Sequence, residues 1–319
     1  SEGRIGLREL IAEEMGRRQR PSQAEEVLIV TGSQQGLDLL GKALLDKDSV
    51  VLTENPTYLA AIQAFGMFQP RFIPVETDSE GVVPEALEAL VRKYQPRFLY
   101  TIPTFQNPTG KTLSLSRRKA LVKEAERLGL LIIEDDPYSR LRYSGETVPP
   151  LAALSSDTVY LSTFSKTVAP GLRTGWIIAP KALREKLIIA KQAADLHTSS
   201  MDQAVLERYL KDSDSEAHIE KVRTEYGKRY AAMDKALTNC MPASFSWTHP
   251  EGGMFLWVEG PSGLDTVTLL PEALEKKVAY VPGRDFFPKG ENKNSFRLNF
   301  SNASEDRIRD GIERLASLF

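Results

Sequence analysis

Residues 27–44 read VLIVTGSQQGLDLLGKAL, and they set the pattern for the first half of the chain. Val27–Thr31 is an apolar, β-branched run of strand length. Gly32 interrupts it, Ser33 stands where a helix N-cap belongs, and Leu37, Leu40 and Leu44 then share one helical face. The alternation recurs. Ser49–Thr53, Arg71–Val75, Arg97–Ile102 and Leu130–Glu134 read as further strands, with helices expected near Thr57–Phe65, Pro84–Lys93 and Ser116–Leu128. Strands separated by helices need crossover connections, which predicts an α/β fold: a mostly parallel sheet sandwiched by helices. Thr158–Phe164 and Thr174–Ala179 follow with no helix between them, so one of the two is expected to run reversed, at an edge or an insertion point.

Beyond this the pattern changes. Lys181 to Leu210 reads as helical, and Ile219, Val222, Tyr226, Tyr230, Met233 and Leu237 form one stripe along a long helix. Strands are expected at Phe255–Val258, Val278–Val281 and Phe296–Phe300, with a helix near Thr266–Lys276 and a last one carrying Ile308, Ile312 and Leu315. The predicted organisation is a helical segment over 1–20, a large domain over 21–210 and a smaller C-terminal α+β domain over 211–319. Residues 1–20 begin inside a helical pattern (Leu7, Leu10, Ile11, Met15), so further sequence upstream is expected. With 41 basic and 43 acidic residues among 319, the formal charge of −2 gives no basic footprint for a nucleic-acid binder. No apolar run approaches the roughly 18 residues that span a bilayer. Cys240 is the one cysteine, which excludes an internal disulfide framework and, with a non-signal-like start, predicts a cytoplasmic protein.

Parallel open sheets bind ligands beyond the carboxyl ends of their strands, so chemistry is sought where each strand stops. Gly32-Ser33-Gln34 opens a helix whose free N–H groups suit a phosphate, although such turns are common. Phe105-Gln106-Asn107-Pro108-Thr109-Gly110 follows the fourth strand; its Gly110-Lys111-Thr112 tail imitates a nucleotide-binding P-loop but lacks the required earlier glycine. Asp135-Asp136-Pro137-Tyr138 places a carboxylate pair at a strand end, able to hold a metal, assist a base, fix a cationic ring nitrogen, or merely cap a turn. The scattered His197, His218 and His249 argue against a metal. Lys166 follows another strand, and Ser162, Thr163 and Ser165 with Arg173 could cradle an anion. The Ser-x-x-Lys at Ser116–Lys119 opens a charged helix away from any strand end and supports no serine nucleophile.

In order along the chain, Asn107-Pro108-Thr109-Gly110, Asp135-Asp136-Pro137-Tyr138, Ser165-Lys166 with Arg173, and Phe296-Arg297-Leu298-Asn299-Phe300-Ser301 resemble the pyridoxal-phosphate-dependent aminotransferases of fold type I, class I/II. Pro250–Trp257 (PEGGMFLW) and Val281-Pro282-Gly283 are similar to the subgroup containing 2-aminoadipate and kynurenine aminotransferases.

The resemblance implies pyridoxal 5'-phosphate as cofactor, with Lys166 as its Schiff-base partner and proton shuttle and Asp135 keeping the pyridine nitrogen protonated. Asn107 and Tyr138 would bond the ring's phenolic oxygen, and Tyr58 would stack on the ring. Ser33, Gln34, Thr163, Ser165 and Arg173 would hold the phosphate. Arg297, with Asn107, would grip the substrate α-carboxylate. The implied catalytic set is Lys166, Asp135 and Tyr58, with no metal. Tyr58 also fits plain core packing, Gly252 and Gly253 a close backbone approach, and Trp176, Trp257 and His197 structural roles. The implied substrates are an L-amino acid and a 2-oxo acid, glutamate and 2-oxoglutarate forming one pair, in a homodimer with active sites at the subunit boundary. The family's N-terminal arm, which supplies substrate-side contacts, does not appear in this sequence. The alternatives are the effector domain of a MocR-like transcription regulator and a lyase on the same fold.

Overall fold

The computed structural model describes all residues from Ser1 to Phe319. In chain order the elements are α1 (Ile5–Arg17), β1 (Val27–Val30), α2 (Gly32–Leu44), β2 (Val50–Thr53), α3 (Leu59–Gly66), β3 (Arg71–Pro74), the short hairpin β4 (Thr77–Asp78) and β5 (Gly81–Val82), α4 (Leu87–Tyr94), β6 (Phe98–Thr101), α5 (Leu115–Leu128), β7 (Ile132–Asp135), β8 (Val159–Thr163) and β9 (Gly175–Ile178). There follow α6 (Lys181–Asp195), α7 (Ser200–Asp212), α8 (Ser215–Cys240), β10 (Ser246–Trp247), β11 (Phe255–Glu259), α9 (Thr266–Glu275), β12 (Val281–Pro282), β13 (Ser295–Asn299) and α10 (Glu305–Ala316).

Seven strands form one sheet in the order β1-β9-β8-β7-β6-β2-β3. Every pair is parallel except those made by β9, which runs antiparallel to both β8 and β1. The expected reversed strand is therefore β9, inserted between β1 and β8. Side chains alternate across the sheet, as a period of two demands. Leu28, Val30, Val51, Tyr100, Ile133 and Leu161 face α2, α3 and α6, where Leu37, Leu40, Phe65 and Leu187 meet them. Their neighbours in sequence face the other way: Val50, Leu52, Leu99 and Ile132 toward Leu87, Leu121 and Val122, and Val27, Ile29, Tyr160 and Ile178 toward α1 and α7. Helices on both faces explain why β1, β2, β6, β7 and β8 are buried along their whole length. Each fully buried Leu, Ile, Val or Phe adds roughly 1.5–3 kcal/mol of transfer free energy.

The four-stranded antiparallel sheet β10-β11-β13-β12 packs against α8 and α10 through Met233, Leu237, Leu256, Phe296, Ile308 and Ile312. Three sequence expectations change. Ser33 lies inside the first turn of α2, whose N-cap position is Thr31, and no side chain caps that helix. The helical stretch expected from Lys181 to Leu210 breaks at Leu196, whose φ is +62°, and Ser199 caps α7. Strand Val278–Val281 shrinks to Val281–Pro282, because the N–H of Val278 bonds the Ala273 carbonyl at 3.0 Å and closes the end of α9. Short β10 is an addition: two residues carry too little periodicity to announce a strand. No helix is long and apolar enough to cross a membrane.

Because β1, β2, β6, β7 and β8 are mutually parallel, their carboxyl ends share one edge of the sheet. The residues preceding β9 arrive at the same edge from the opposite direction. That brings Gly32, Asn55, Asn107, Asp135, Lys166 and Arg173 to a common rim.

Candidate active site

The end of β7 sorts three consecutive acids by the alternation of the strand. Glu134 points to one face and accepts the N–H groups of Leu151 (3.0 Å) and Ala152 (2.9 Å). Asp136 accepts from Arg18 Nη2 at 2.5 Å, the Tyr160 hydroxyl at 2.9 Å and the Ser139 N–H at 3.1 Å. Burial pushes Asp136 up, but Arg18 and these bonds carry it below the ordinary carboxylate range. Asp135 differs. Its Oδ2 accepts from the Tyr100 hydroxyl at 2.7 Å, while Oδ1 is buried with no partner at all. Burial, only partly offset by Tyr100 and reinforced by Asp136 and Glu134, pushes this carboxyl up to about 7. Of the uses open to the Asp135-Asp136 pair, a shared metal or proton fails, because Asp136 is committed to Arg18. Asp136 also caps the turn through the Ser139 N–H, while Asp135 keeps one free buried oxygen, which suits the cationic N–H that the resemblance implies.

Lys166 follows β8 in a turn closed by the Val168 N–H on the Phe164 carbonyl at 2.9 Å. The residue is half-buried, and burial first, then Arg173 and Arg297, hold its amine below the usual lysine range. Such an amine reaches its neutral, nucleophilic form more readily. Arg173 has a left-handed backbone (φ +44°) and donates through Nη1 to Ser165 Oγ at 3.4 Å and to the Pro170 carbonyl at 3.3 Å. Its Nη2 lies where a side chain on Gly32 would be: a Cβ there would sit 2.5 Å away, on a backbone at φ +73°. Glycine suits that spot: the positive φ strains any other residue, and a side chain there would push the end of Arg173 away from the uncapped, positively polarised start of α2. Thr163 Oγ1 is used inside the turn, on the Thr174 carbonyl (3.1 Å) and Ser165 Oγ (3.0 Å). Gln34 Nε2 donates to the Ala60 carbonyl at 3.3 Å, and Ser33 lies beside it in the first turn.

Arg297 comes from β13, in the small sheet. Nη1 donates to Asn107 Oδ1 at 2.8 Å, and the guanidinium lies 4.1 Å from the Phe255 ring and 5.1 Å from that of Phe286. Burial lowers its affinity for a proton, and the titratable groups that act against this are the Tyr138 and Tyr58 hydroxyls, not a carboxylate. Asn107 in turn donates through Nδ2 to the Tyr138 hydroxyl at 3.2 Å. Tyr58 stands at the start of α3, its hydroxyl pKa raised by burial and by Asp135, and lowered by Arg297 and Arg173. It therefore links the acid at the end of β7 with both arginines, and those same arginines act on Lys166. Sequence reasoning does not single out Tyr100, Phe255 or Phe286. It also misses Glu54 beneath Gln106, which accepts from the Ile102 N–H (3.1 Å), Thr101 Oγ1 (3.0 Å) and Gln106 Nε2 (3.3 Å).

A Cβ on Gly252 would strike the Phe105 ring and come within 2.7 Å of the Leu141 carbonyl, so the close approach needs glycine. Trp176 and Trp257 are buried core residues, and His197 Nδ1 lies 2.9 Å from the Thr198 carbonyl. A cleft elsewhere, of about 630 Å³, is lined by charges largely paired among themselves, such as Arg17 with Glu13 and Arg140 with Glu14. Another, of about 350 Å³, lies between Asn55-Pro56 and the small sheet, against Trp247 and Trp257.

These residues fit the cofactor that the motifs imply: an unpartnered buried carboxylate oxygen for a cationic ring nitrogen, a Gly32–Arg173 cradle for a phosphate, and a lysine free of carboxylates. The family profile described as "Aminotransferase class I and II" matches residues 1–315. The aromatic-amino-acid aminotransferase 1 of Thermococcus litoralis is 43% identical over 99% of this chain and 78% of its own length. The crystal structure of Pyrococcus horikoshii kynurenine aminotransferase superposes with a TM-score of 0.94 at 42% identity, covering 99% of this chain and 80% of that one. The α-aminoadipate aminotransferase of Thermus thermophilus, solved with N-(5'-phosphopyridoxyl)-L-leucine, gives a TM-score of 0.94 at 42% identity over 99% of this chain and 81% of that one. The layered sheet, its rim of chemistry and this agreement along the whole chain have one reading: the chain belongs to the class I and II aminotransferases.

Proposed function

We propose that this chain moves the amino group of an L-amino acid to a 2-oxo acid, glutamate and 2-oxoglutarate forming one pair, on pyridoxal 5'-phosphate attached through Lys166. The observation that carries the reading is the unpartnered Oδ1 of Asp135 on the same rim as the depressed Lys166 amine. When bound, the cofactor supplies an aldehyde for amines and a cationic ring that takes up the electron pair of the substrate Cα–H bond. Asp135 Oδ1 accepts the ring N–H and holds its proton. Lys166 Nζ, in its neutral form, would take the substrate Cα proton and deliver it to the cofactor carbon that carried the aldehyde, its pKa lowered toward that exchange by burial and two arginines. Arg173, Ser165, Ser33 and the first N–H groups of α2 bind the phosphate, with Thr163 bracing the turn and Gln34 beside it. Tyr58 covers the ring face and excludes water; Asn107 and Tyr138 orient the ring oxygen. Arg297, stacked on Phe255 and tethered to Asn107, offers its remaining N–H donors to the α-carboxylate.

The three relatives named above carry three different donor names at nearly equal identity, so identity does not choose among them. A panel of glutamate, 2-aminoadipate, kynurenine and aromatic donors against 2-oxoglutarate does. The exposed apolar side chains Ile189, Leu196, Met201 and Val205, on and between α6 and α7, support a homodimer. The test of the reading is spectroscopic. Purified protein loaded with pyridoxal 5'-phosphate is expected to show a visible band that Lys166→Ala abolishes. Glutamate alone should then convert the cofactor once and stop until an oxo acid is added. Identical spectra for the two proteins, or continuous turnover without an oxo acid, would overturn it.

A further inference from the structure

Tyr100 is fully buried on β6, beside β7, with its register set by the pairing of Tyr100 with Ile133 and Thr101 with Glu134. Its ring packs edge-on against Phe65 at 5.7 Å, and its hydroxyl reaches Asp135 Oδ2 at 2.7 Å. The carboxylate is thereby fixed in rotation. One oxygen is spent on Tyr100, and the other is left without a partner. Phenylalanine would fill the same space as well, so packing alone does not call for the oxygen. A donor to a carboxylate also favours its ionised form, which is the form able to hold a cation opposite. The other titratable groups facing Asp135 act otherwise: Glu134 and Asp136, from its own segment, oppose ionisation, and the Tyr58 hydroxyl comes from the start of α3.

From this geometry we infer that Tyr100 is a positioning residue of the reaction, acting through Asp135: it aims Oδ1 at the cofactor's ring nitrogen and keeps the carboxylate ionised, so that the ring stays cationic. The inference rests on the function proposed above. It adds a residue to the chain of contacts from the sheet interior to the ring, and this residue touches neither cofactor nor substrate.

Tyr100→Phe removes one oxygen and keeps the ring against Phe65. A hydrogen bond to a charged group is worth roughly ten- to hundredfold in an equilibrium. The full chain, loaded with pyridoxal 5'-phosphate, is expected to bind it about tenfold or more weakly in the variant. The visible band should also titrate at a different pH. The decisive comparison is a double-mutant cycle on the dissociation constant. In an Asp135→Asn background, Tyr100→Phe should add less than twofold, because the group it acts through is gone. Equal losses in both backgrounds would show a merely structural role and overturn the inference, as would a Tyr100→Phe protein within twofold of wild type with an unshifted band. A wild-type chain that takes up no pyridoxal phosphate at Lys166 would overturn the proposed function, and this inference with it; the two failures are thus told apart by the wild-type spectrum.

Discussion

Asp135→Asn in the cofactor-free protein isolates a buried charge without a counter-charge. The carboxyl is almost wholly buried and is pushed from an ordinary 3.8 up to about 7. A folded-state pKa above the unfolded one means that the folded chain holds the proton more tightly. The stability on this account is fully present below about pH 4 and is lost as pH rises toward 7. Three pH units at ~1.4 kcal/mol each give a total on the order of 4 kcal/mol. About 2 kcal/mol of it falls between pH 5 and 7, and the loss levels off above about pH 8. Asparagine does not titrate. Urea unfolding of wild type and Asp135→Asn at pH 5, 6, 7 and 8 should therefore show the variant gaining on wild type by about 2 kcal/mol from pH 5 to 7. Glu54, also raised to about 7 by burial, is present in both proteins and cancels in the difference, whereas Glu134, which is coupled to Asp135, is relieved in the variant and adds in the same direction. Adding pyridoxal 5'-phosphate gives Oδ1 a cationic partner, and the pH slope of the difference should then vanish. A difference that stays constant from pH 5 to 7 without cofactor would refute the claim that Asp135 carries an unpaired buried charge.

Two substitutions probe the arginines. Arg297→Lys keeps the charge but loses the planar fork, the bond to Asn107 Oδ1 and the stacking on Phe255. It is expected to lower kcat/KM for amino donors roughly ten- to hundredfold in a coupled assay with 2-oxoglutarate, the worth of a charge-assisted bond; a change under about threefold would count against the carboxylate role. Gly32→Ala puts a Cβ 2.5 Å from Arg173 Nη2 on a backbone at φ +73°. The new side chain would displace the end of Arg173 from the start of α2, and losing that charge-assisted contact should weaken pyridoxal phosphate binding about tenfold, read by spectroscopic titration; unchanged affinity would mean that the phosphate lies elsewhere.

Most of the frame is legible in the sequence because it follows from periodicity. Strands such as Val27–Val30 and Val50–Thr53 are buried on both faces and read as short apolar runs, and stripes such as Ile308, Ile312 and Leu315 fall at helical spacing. The strand ends then point to Asn107, Asp135, Lys166 and Arg173, which the fold gathers on one rim. What stays hidden depends on pairings between distant residues. Nothing in the sequence near Tyr100 says that its hydroxyl meets Asp135, 35 positions on. Nothing near Phe255 says that a cation will lie on its ring, since that follows from the β11–β13 register that sets Trp257 opposite Arg297. The N-cap assigned to Ser33 fails for a local reason: the helix starts earlier than the serine signals, and its end is left uncapped.

That uncapped helix is one of several groups in the site left without a partner. Asp135 Oδ1 lacks a donor, Arg297 lacks a carboxylate, and Lys166 has arginines for charged neighbours. The chain does not lack the means to pair charges: Asp136 is held by Arg18, and buried Lys191 is held by Asp195 at 2.6 Å. Unpaired buried charge is costly, and a fold built for stability alone would join opposite signs. Here the sheet keeps them apart. Asp135 sits at the end of a central parallel strand, Arg173 arrives just ahead of the reversed β9, and Arg297 comes from a different sheet altogether. A ligand with a cationic nitrogen at one end and anionic groups at the others satisfies all three at once. The free energy withheld from folding at buried Asp135 and half-buried Arg297 is then available for binding, and the antiparallel β9 is the topological feature that brings exposed Arg173 to a rim otherwise made of strand carboxyl ends.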